Sequence, residues 1–132
     1  MRTLVVDDDF ISRKILVTLL SKYGQCDVAI NGKEAIDAFK MAWDEKDKYD
    51  LICLDIMLPE INGQEVLKAI RHYEEQKKIV GSDGVKIIMT TALGDSDNIK
   101  AAFREQCEAY LVKPIEKQKL LDKLMQLGLV TE

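Results

Sequence analysis

The sequence predicts an α/β fold, a parallel sheet of five strands with helices on both faces. Three observations carry this. Short apolar runs alternate five times with segments whose apolar residues recur every three or four positions, the alternation of a parallel sheet and its crossover helices. The run Leu51-Ile52-Cys53-Leu54 contains no charged side chain, as a strand covered on both faces requires. Four of the runs end directly in polar groups, at Asp7-Asp8-Asp9, Asp55, Thr91-Ala92 and Lys113-Pro114. Parallel strands finish at one rim, where ligands of open α/β sheets bind.

Each element has its own signal. Thr3 to Val6 reads as the first buried strand. Ile11, Ile15 and Leu19 then mark a helical face, with Asp9 as N-cap or first-turn residue and Gly24 as the residue just past the end. Cys26 to Ile30 is a short second strand. Asn31-Gly32 turns into a second helix with Ile36, Phe39 and Trp43 inward, ended by the polar Asp44–Lys48 stretch. Leu51 to Leu54 is the third strand. Past Pro59 and Gly63, the residues Val66, Leu67 and Ile70 give a third helix. The charged Glu74–Lys78 run is open to being its continuation, before a Gly81-Ser82-Asp83-Gly84 loop. Val85 to Thr90 is the fourth strand, and Ile99, Ala102 and Phe103 mark the fourth helix. Ala109 to Val112 is the fifth strand. Leu120, Leu121, Leu124 and Leu127 form the inner stripe of the fifth helix.

The bulk properties narrow the classes. A chain of 132 residues is one domain's worth, enough for a core without disulfide or metal staples. The 47% hydrophobic and 32% charged content is that of a globular protein with a water-facing surface. No apolar stretch is long enough to span a bilayer, and no basic-then-apolar signal segment precedes the first strand. Cys26, Cys53 and Cys107 are odd in number, and two of them sit in or beside strand patterns. They read as reduced thiols of a cytoplasmic protein, not as a disulfide framework. The net charge of −4 argues against nucleic acid as a partner. Neither an internal repeat nor a low-complexity tract is visible. Three acidic groups, a hydroxyl and an ammonium brought to one rim form a set able to hold a divalent cation and a phosphoryl group together.

In order and in kind, the acidic pair Asp7-Asp8, the lone Asp55, Thr91-Ala92 and Lys113-Pro114 resemble the pattern of receiver domains in the two-component response regulator family. The likeness runs from about Arg2 to about Leu127. It implies a flavodoxin-like (βα)5 three-layer sandwich with strand order 2-1-3-4-5, and residues 1–132 as one receiver domain with no output domain. It also implies that Asp55 is the phosphoacceptor. A carboxylate oxygen attacking a phosphoryl group is a recognised covalent strategy, opposed by charge repulsion unless a hard cation intervenes. The resemblance places Mg²⁺, or Mn²⁺, on Asp7, Asp8, Asp55 and the backbone carbonyl of Met57, with Asp7 acting directly or through water. Lys113 would neutralise phosphoryl oxygens, and Pro114 after it follows a cis bond in the family. Thr91 would donate its hydroxyl. Thr90 competes for that role, but successive strand residues point to opposite faces.

As a switch, phosphorylation would draw Thr91 inward and let Tyr110 turn into the space behind it. The face of the fourth helix, fifth strand and fifth helix would then change its affinity for a downstream protein, with Ile99 to Arg104 and Lys117 to Lys123 as exposed candidates. The phosphodonor would be a sensor histidine kinase or a phosphotransfer protein. Homodimerisation through the same face is compatible with the family. Such a protein promotes its own phosphorylation but is not a turnover enzyme. Two rival readings are an interaction scaffold that takes no phosphate and a Mg²⁺-dependent phosphatase-like enzyme. His72, in a charged helix, reads as solvent-facing, Trp43 as core, and Lys77-Lys78 as a solvated face. Two features depart from the family. The stretch from Asp55 to Thr91 is long, with its excess around Glu74 to Gly84. Met57 and Leu93, each two past a site residue, are apolar, which should slow hydrolysis of an aspartyl phosphate.

Overall fold

The structure is a computed structural model that describes residues 1–79, 83–92 and 96–131. Five strands, β1 (Thr3–Val6), β2 (Cys26–Ala29), β3 (Leu51–Asp55), β4 (Lys86–Thr91) and β5 (Ala109–Val112), alternate with five helices. These are α1 (Phe10–Leu20), α2 (Gly32–Asp44), α3 (Gly63–Gln76), α4 (Ser96–Arg104) and α5 (Lys117–Gln126). The strands are all parallel and lie in the order β2-β1-β3-β4-β5. Chain direction reverses its build-out between β1 and β3, which makes the mouth between those two strands the switch point.

Alternation along the strands divides the core into two layers. Leu4, Val6, Ile52, Leu54, Ile87 and Met89 face one way and pack with Phe39 of α2, Val66, Leu67 and Ile70 of α3, and Ala102 of α4. Val5, Leu51, Cys53, Ile88 and Leu111 face the other way, against Leu16 and Leu20 of α1 and Leu120 and Leu124 of α5. Both faces of β3 are covered, which is why its five residues are uniformly buried. No helix among the described residues is long and apolar enough to cross a membrane.

Local chemistry starts three of the helices. Asp9 accepts the Ser12 N–H at the start of α1, and Asn31 accepts the Glu34 N–H at the start of α2. Asn62 and Glu65 form a reciprocal capping box on α3, satisfying two backbone donors at once. The Asp9 and Asn31 caps follow their strands within three residues, whereas Asn62 stands at the end of the loop that leads from Asp55 to α3.

Several helix faces differ from the expected ones. On α1 the Ile11, Ile15 and Leu19 row is not the buried one: Leu16 and Leu20 are buried, while Ile11 and Ile15 are exposed. The helix carries two adjacent apolar rows, and periodicity alone does not say which one meets the sheet. Gly24 is not the residue closing α1, because a 3-10 turn over Ser21–Tyr23 intervenes. There the glycine has φ +145, and a Cβ would meet the Met1 carbonyl oxygen. On α2, Phe39 is buried with Ala35 and Ala42, while Ile36 and Trp43 are half-buried against the same cluster. On α4, Ala102 is buried but Phe103 stands exposed. The charged run after Ile70 does continue α3, through Gln76, with Lys77 capping it. Gly81 and Ser82, half of the loop expected there, lie outside the described residues, as does Leu93.

Candidate functional site

The rim above β1 and β3 gathers the polar residues that end the strands. Asp7 follows β1 and is fully buried; Asp55 ends β3 and is 4% exposed. Asp8 is exposed beside them. Carboxylate oxygens of Asp7, Asp8 and Asp55 lie within 4.8 Å of one another. Opposite them stands Lys113, directly after β5, whose Nζ is 3.0 Å from Asp55 Oδ2 and 2.9 Å from Asp7 Oδ2. The peptide bond from Lys113 to Pro114 is cis.

Backbone contacts hold these groups in place. Asp7 Oδ1 accepts the Asp9 N–H at 2.9 Å, and the Asp7 carbonyl accepts from Arg13 Nη1 at 2.9 Å. Asp55 Oδ1 accepts the Met57 N–H at 3.0 Å. The Ile56 N–H donates to the Thr90 carbonyl, tying the loop after β3 to β4, and the Lys113 N–H donates to the Thr91 carbonyl at 2.8 Å. The Gly63 N–H donates to the Ile56 carbonyl at 2.9 Å. A Cβ at Gly63 would lie 2.2 Å from the Asp55 carbonyl oxygen, so the close approach of α3 to the rim needs glycine there.

Electrostatics follow from burial and charge. Burial pushes the Asp55 carboxyl above its ordinary value; the Met57 N–H and the Lys113 ammonium oppose this, and the Asp7 charge adds to it. Burial works against the Lys113 ammonium, but the Asp7 and Asp55 carboxylates outweigh it and hold that group above its ordinary value. The Ser12 N–H and hydroxyl lower the Asp9 carboxyl, as suits its capping role.

A divalent cation fits this donor set. Among the described residues, Asp7 Oδ2 is buried and meets the Lys113 ammonium at 2.9 Å, with no further hydrogen-bond partner. An acceptor oxygen in that state, beside two further carboxylates, is what a hard cation with oxygen ligands uses. Met57, 63% exposed, sits at the lip of the same cluster.

Among the other expected site residues, Thr91 is fully buried at the end of β4, its Oγ1 donating to the Ala92 carbonyl at 3.2 Å. Thr90 is the cross-strand neighbour of Asp55, and Thr91 pairs with Val112. The Thr90 hydroxyl is buried with no hydrogen-bond partner among the described residues. Tyr110 faces outward, 37% exposed, away from the rim on β5. His72 is exposed on α3.

Sequence reasoning missed two sets of residues. Phe10, Ile11 and Ile15 form an exposed apolar strip on α1, and Ile11 and Ile15 border a groove with Lys113, Pro114 and Ile115. The signal was present in the second apolar row of α1. Arg71, Glu74 and Glu108 form a largely buried charged network at the opposite end of the sheet. Nothing in the charge pattern near Glu74 distinguished it from a solvated run.

Comparison with known proteins agrees with this geometry. The family model "Response regulator receiver domain" matches residues 3–125. The chain is 30% identical over 125 residues to the chemotaxis protein CheY of Treponema pallidum, covering 93% of this chain and 79% of that one. It is 31% identical over 132 residues to the sensory/regulatory protein RpfC of Xanthomonas campestris, of whose length it spans 17%. Among solved structures it resembles one from the CheX-CheY-BeF3-Mg²⁺ complex of Borrelia burgdorferi, with TM-score 0.81, 25% identity and coverage of 97% of this chain and 89% of that one. It also resembles one from the co-crystal of the Saccharomyces cerevisiae phosphotransfer protein Ypd1 with the receiver domain of Ssk1. There the TM-score is 0.80 and the identity 31%, over 97% of this chain and 88% of that one.

Proposed function

The chain belongs to the response regulator receiver domain family, and on that premise we propose that it accepts a phosphoryl group on Asp55 from a sensor histidine kinase or phosphotransfer protein. The observation that carries this is the Lys113 ammonium held between the Asp55 and Asp7 carboxylates, with Asp8 beside them.

In this reading a carboxylate oxygen of Asp55 forms the new O–P bond as the P–N bond of a phosphohistidine donor breaks. The electron pair leaves with the donor imidazole. The Met57 N–H holds the Asp55 carboxylate in one orientation, so little reorganisation is left for the reaction itself. Lys113 exchanges its contacts to Asp55 and Asp7 for contacts to phosphoryl oxygens and neutralises charge there. Asp7, Asp8 and Asp55, with the Met57 carbonyl, would hold Mg²⁺ or Mn²⁺, which when bound offsets repulsion between the carboxylate and the incoming phosphate. Thr91 is assigned the hydroxyl contact to the phosphoryl group, with Thr90 as the control position.

The donor's approach is supported by the groove between α1 and the Lys113-Pro114-Ile115 segment, which borders the site at Lys113. The exposed Phe10, Ile11 and Ile15 suit an amphipathic helical surface that places its phosphohistidine over the rim. The Ypd1–Ssk1 complex is consistent with such a donor. The aspartyl phosphate then changes the affinity of the α4, β5 and α5 face for a downstream protein, making the chain a signalling module of the cytoplasm and not a turnover enzyme. Its free cysteines suit a reducing compartment.

The deciding experiment is incubation with acetyl phosphate, with and without Mg²⁺, read by intact mass. A gain of one phosphoryl group that needs Mg²⁺ and disappears in Asp55→Asn is expected. Thr91→Ala should lower the yield, and Thr90→Ala should leave it within about twofold. Absence of an adduct under all conditions would overturn the reading in favour of a scaffold that takes no phosphate.

A further inference from the structure

Along one face of α3, Gln64, Lys68 and Arg71 follow one another at helical spacing, and all three reach toward α4 or the connection from α4 to β5. Gln64 Nε2 donates to the Asn98 carbonyl in the first turn of α4, at 2.5 Å. Lys68 Nζ lies 3.8 Å from Glu105 just past the end of that helix. Arg71 Nε donates to the Gln106 carbonyl at 3.0 Å, and its Nη2 donates to both oxygens of Glu108 at 2.8 and 3.1 Å.

These three ties are unequal. Arg71 also donates through Nη1 to Glu74 and to the Val85 carbonyl, at 2.7 and 2.9 Å. Glu74 in turn accepts the Val85 N–H at 2.7 Å, and Glu108 accepts the Ile87 N–H at 2.6 Å. The network therefore binds α3, the start of β4 and the segment leading into β5 with charge-assisted bonds among largely buried side chains. The middle tie joins two well-exposed side chains and is worth little. The tie at the start of α4 is one neutral hydrogen bond, and Gln64 Oε1 is buried without a partner among the described residues.

Gln64 also stands at a mechanically distinct place. It is the second residue of α3, next to Gly63, whose backbone abuts the Asp55 carbonyl and bonds the Ile56 carbonyl. A shift of the loop after Asp55 therefore reaches Asn98 through two residues. From this arrangement we propose that α4 is a lever. Arg71 is its pivot, fixing the Gln106–Glu108 segment, and Gln64 is the link that moves its first turns when the rim around Asp55 changes. This deepens the receiver reading and rests on it for the trigger, while the pivot is a property of the chain with or without one.

The test is backbone hydrogen exchange of the full chain, with and without beryllofluoride plus Mg²⁺ as the probe of the rim, in wild type, Gln64→Leu, Arg71→Met and the milder Glu108→Gln. Without the probe, the Cys107 and Glu108 amides, bonded to the Ala102 and Ile87 carbonyls, should exchange at least tenfold more slowly than those of Lys100 and Ala101. With the probe, exchange at Lys100 and Ala101 should change at least fivefold while Cys107 and Glu108 stay within twofold. Arg71→Met or Glu108→Gln should spread the change to Cys107 and Glu108, and Gln64→Leu should abolish the response at Lys100. A probe response equal at both ends of α4, or one unaltered by Arg71→Met and Glu108→Gln, overturns the lever. A probe that leaves the Met57 to Asn62 amides unchanged counts against the receiver reading instead. The pivot is then decided by the pattern without the probe, and loss of the tenfold difference there overturns it.

Discussion

The ring of Tyr110 on β5 meets the ring of Phe103 on α4 edge to face, with centroids 5.9 Å apart and planes at 83°. The outward state of the expected switch residue is thus tied to the position of α4. Aromatic pairs of this geometry contribute about 0.5–1.5 kcal/mol beyond burial, and the partial exposure of both rings favours the low end. A double-mutant cycle of Phe103→Ala and Tyr110→Ala by urea unfolding should return a coupling near that low end. Repeating it with beryllofluoride and Mg²⁺ should reduce the coupling toward zero if Tyr110 turns inward. An unchanged value would mean that the ring stays where it is.

Lys113 provides a second prediction. Its ammonium neutralises two nearly buried carboxylates, so Lys113→Ala leaves Asp7 and Asp55 facing each other. Losing one partner of a buried ion pair costs about 3–5 kcal/mol; because Lys113 keeps partial contact with solvent, about 1–3 kcal/mol is expected here. The same change removes a cation that competes for these carboxylates. Mg²⁺ affinity, followed by calorimetric titration, should therefore rise about tenfold, about 1.4 kcal/mol, while the acetyl phosphate adduct diminishes. Weaker Mg²⁺ binding in the variant would show that Lys113 does not compete with the ion.

Glu74 and Lys68, on the same helix, should behave oppositely. Glu74 is 4% exposed and accepts from both Arg71 and the Val85 N–H. Because Arg71 keeps both Glu108 oxygens, Glu74→Ala should destabilise by about 1–3 kcal/mol, chiefly through the Val85 N–H it leaves unpaired. Lys68→Ala breaks an exposed 3.8 Å pair and should cost no more than about 1 kcal/mol. Chemical denaturation of both variants tests the contrast, and similar losses would contradict the buried network.

The three thiols should separate by reactivity. Burial pushes the Cys53 thiol up to about 12 and the Cys107 thiol up to about 11, and it also raises Cys26, which is only partly covered. Thiolate is the reactive form. With a disulfide reagent at pH 8, Cys26 should react first and Cys53 only at the rate of unfolding. Fast labelling of Cys53 in the folded protein would refute its burial under α1 and α5.

At the end of the sheet opposite the carboxylates, Asp27 accepts from Tyr49 at 2.7 Å and from Arg2 at 2.9 Å. Burial alone would raise its carboxyl, but the bonds from Tyr49, Gln25 and Arg2 outweigh burial and hold it below its ordinary value. A depressed folded value contributes stability that is full above the unfolded value and is lost as pH falls through the folded one. Asp27→Asn should therefore cost stability at pH 7 and lose less than wild type between about pH 5 and pH 2. Parallel acid limbs for the two proteins would remove Asp27 from that balance.

How legible the site was in the chain depended on the kind of signal. Asp7, Asp8, Asp55, Thr91 and Lys113 could be placed at one rim because each directly follows an apolar run, and a parallel sheet aligns all strand ends. Asp9 was legible as a cap because capping is settled within three residues. The face of α1 was not, since two neighbouring rows are apolar and the choice between them is made by the sheet beneath. Phe103 failed in the same way, its outward position set by contact with Tyr110.

What the sequence determined by itself was therefore local or periodic: the five alternating elements, the Asp9 cap of α1, and the polar residues that close four strands. The tertiary structure alone decided the contacts between residues distant in the chain. Lys113 reaches Asp55 across 58 residues, Gln64 reaches Asn98 across 34, and Arg71 reaches Glu108 across 37. The physical reason is that a charged side chain looks the same in a sequence whether it is solvated or buried. Only packing supplies the partner that makes burial affordable, and that partner comes from another element.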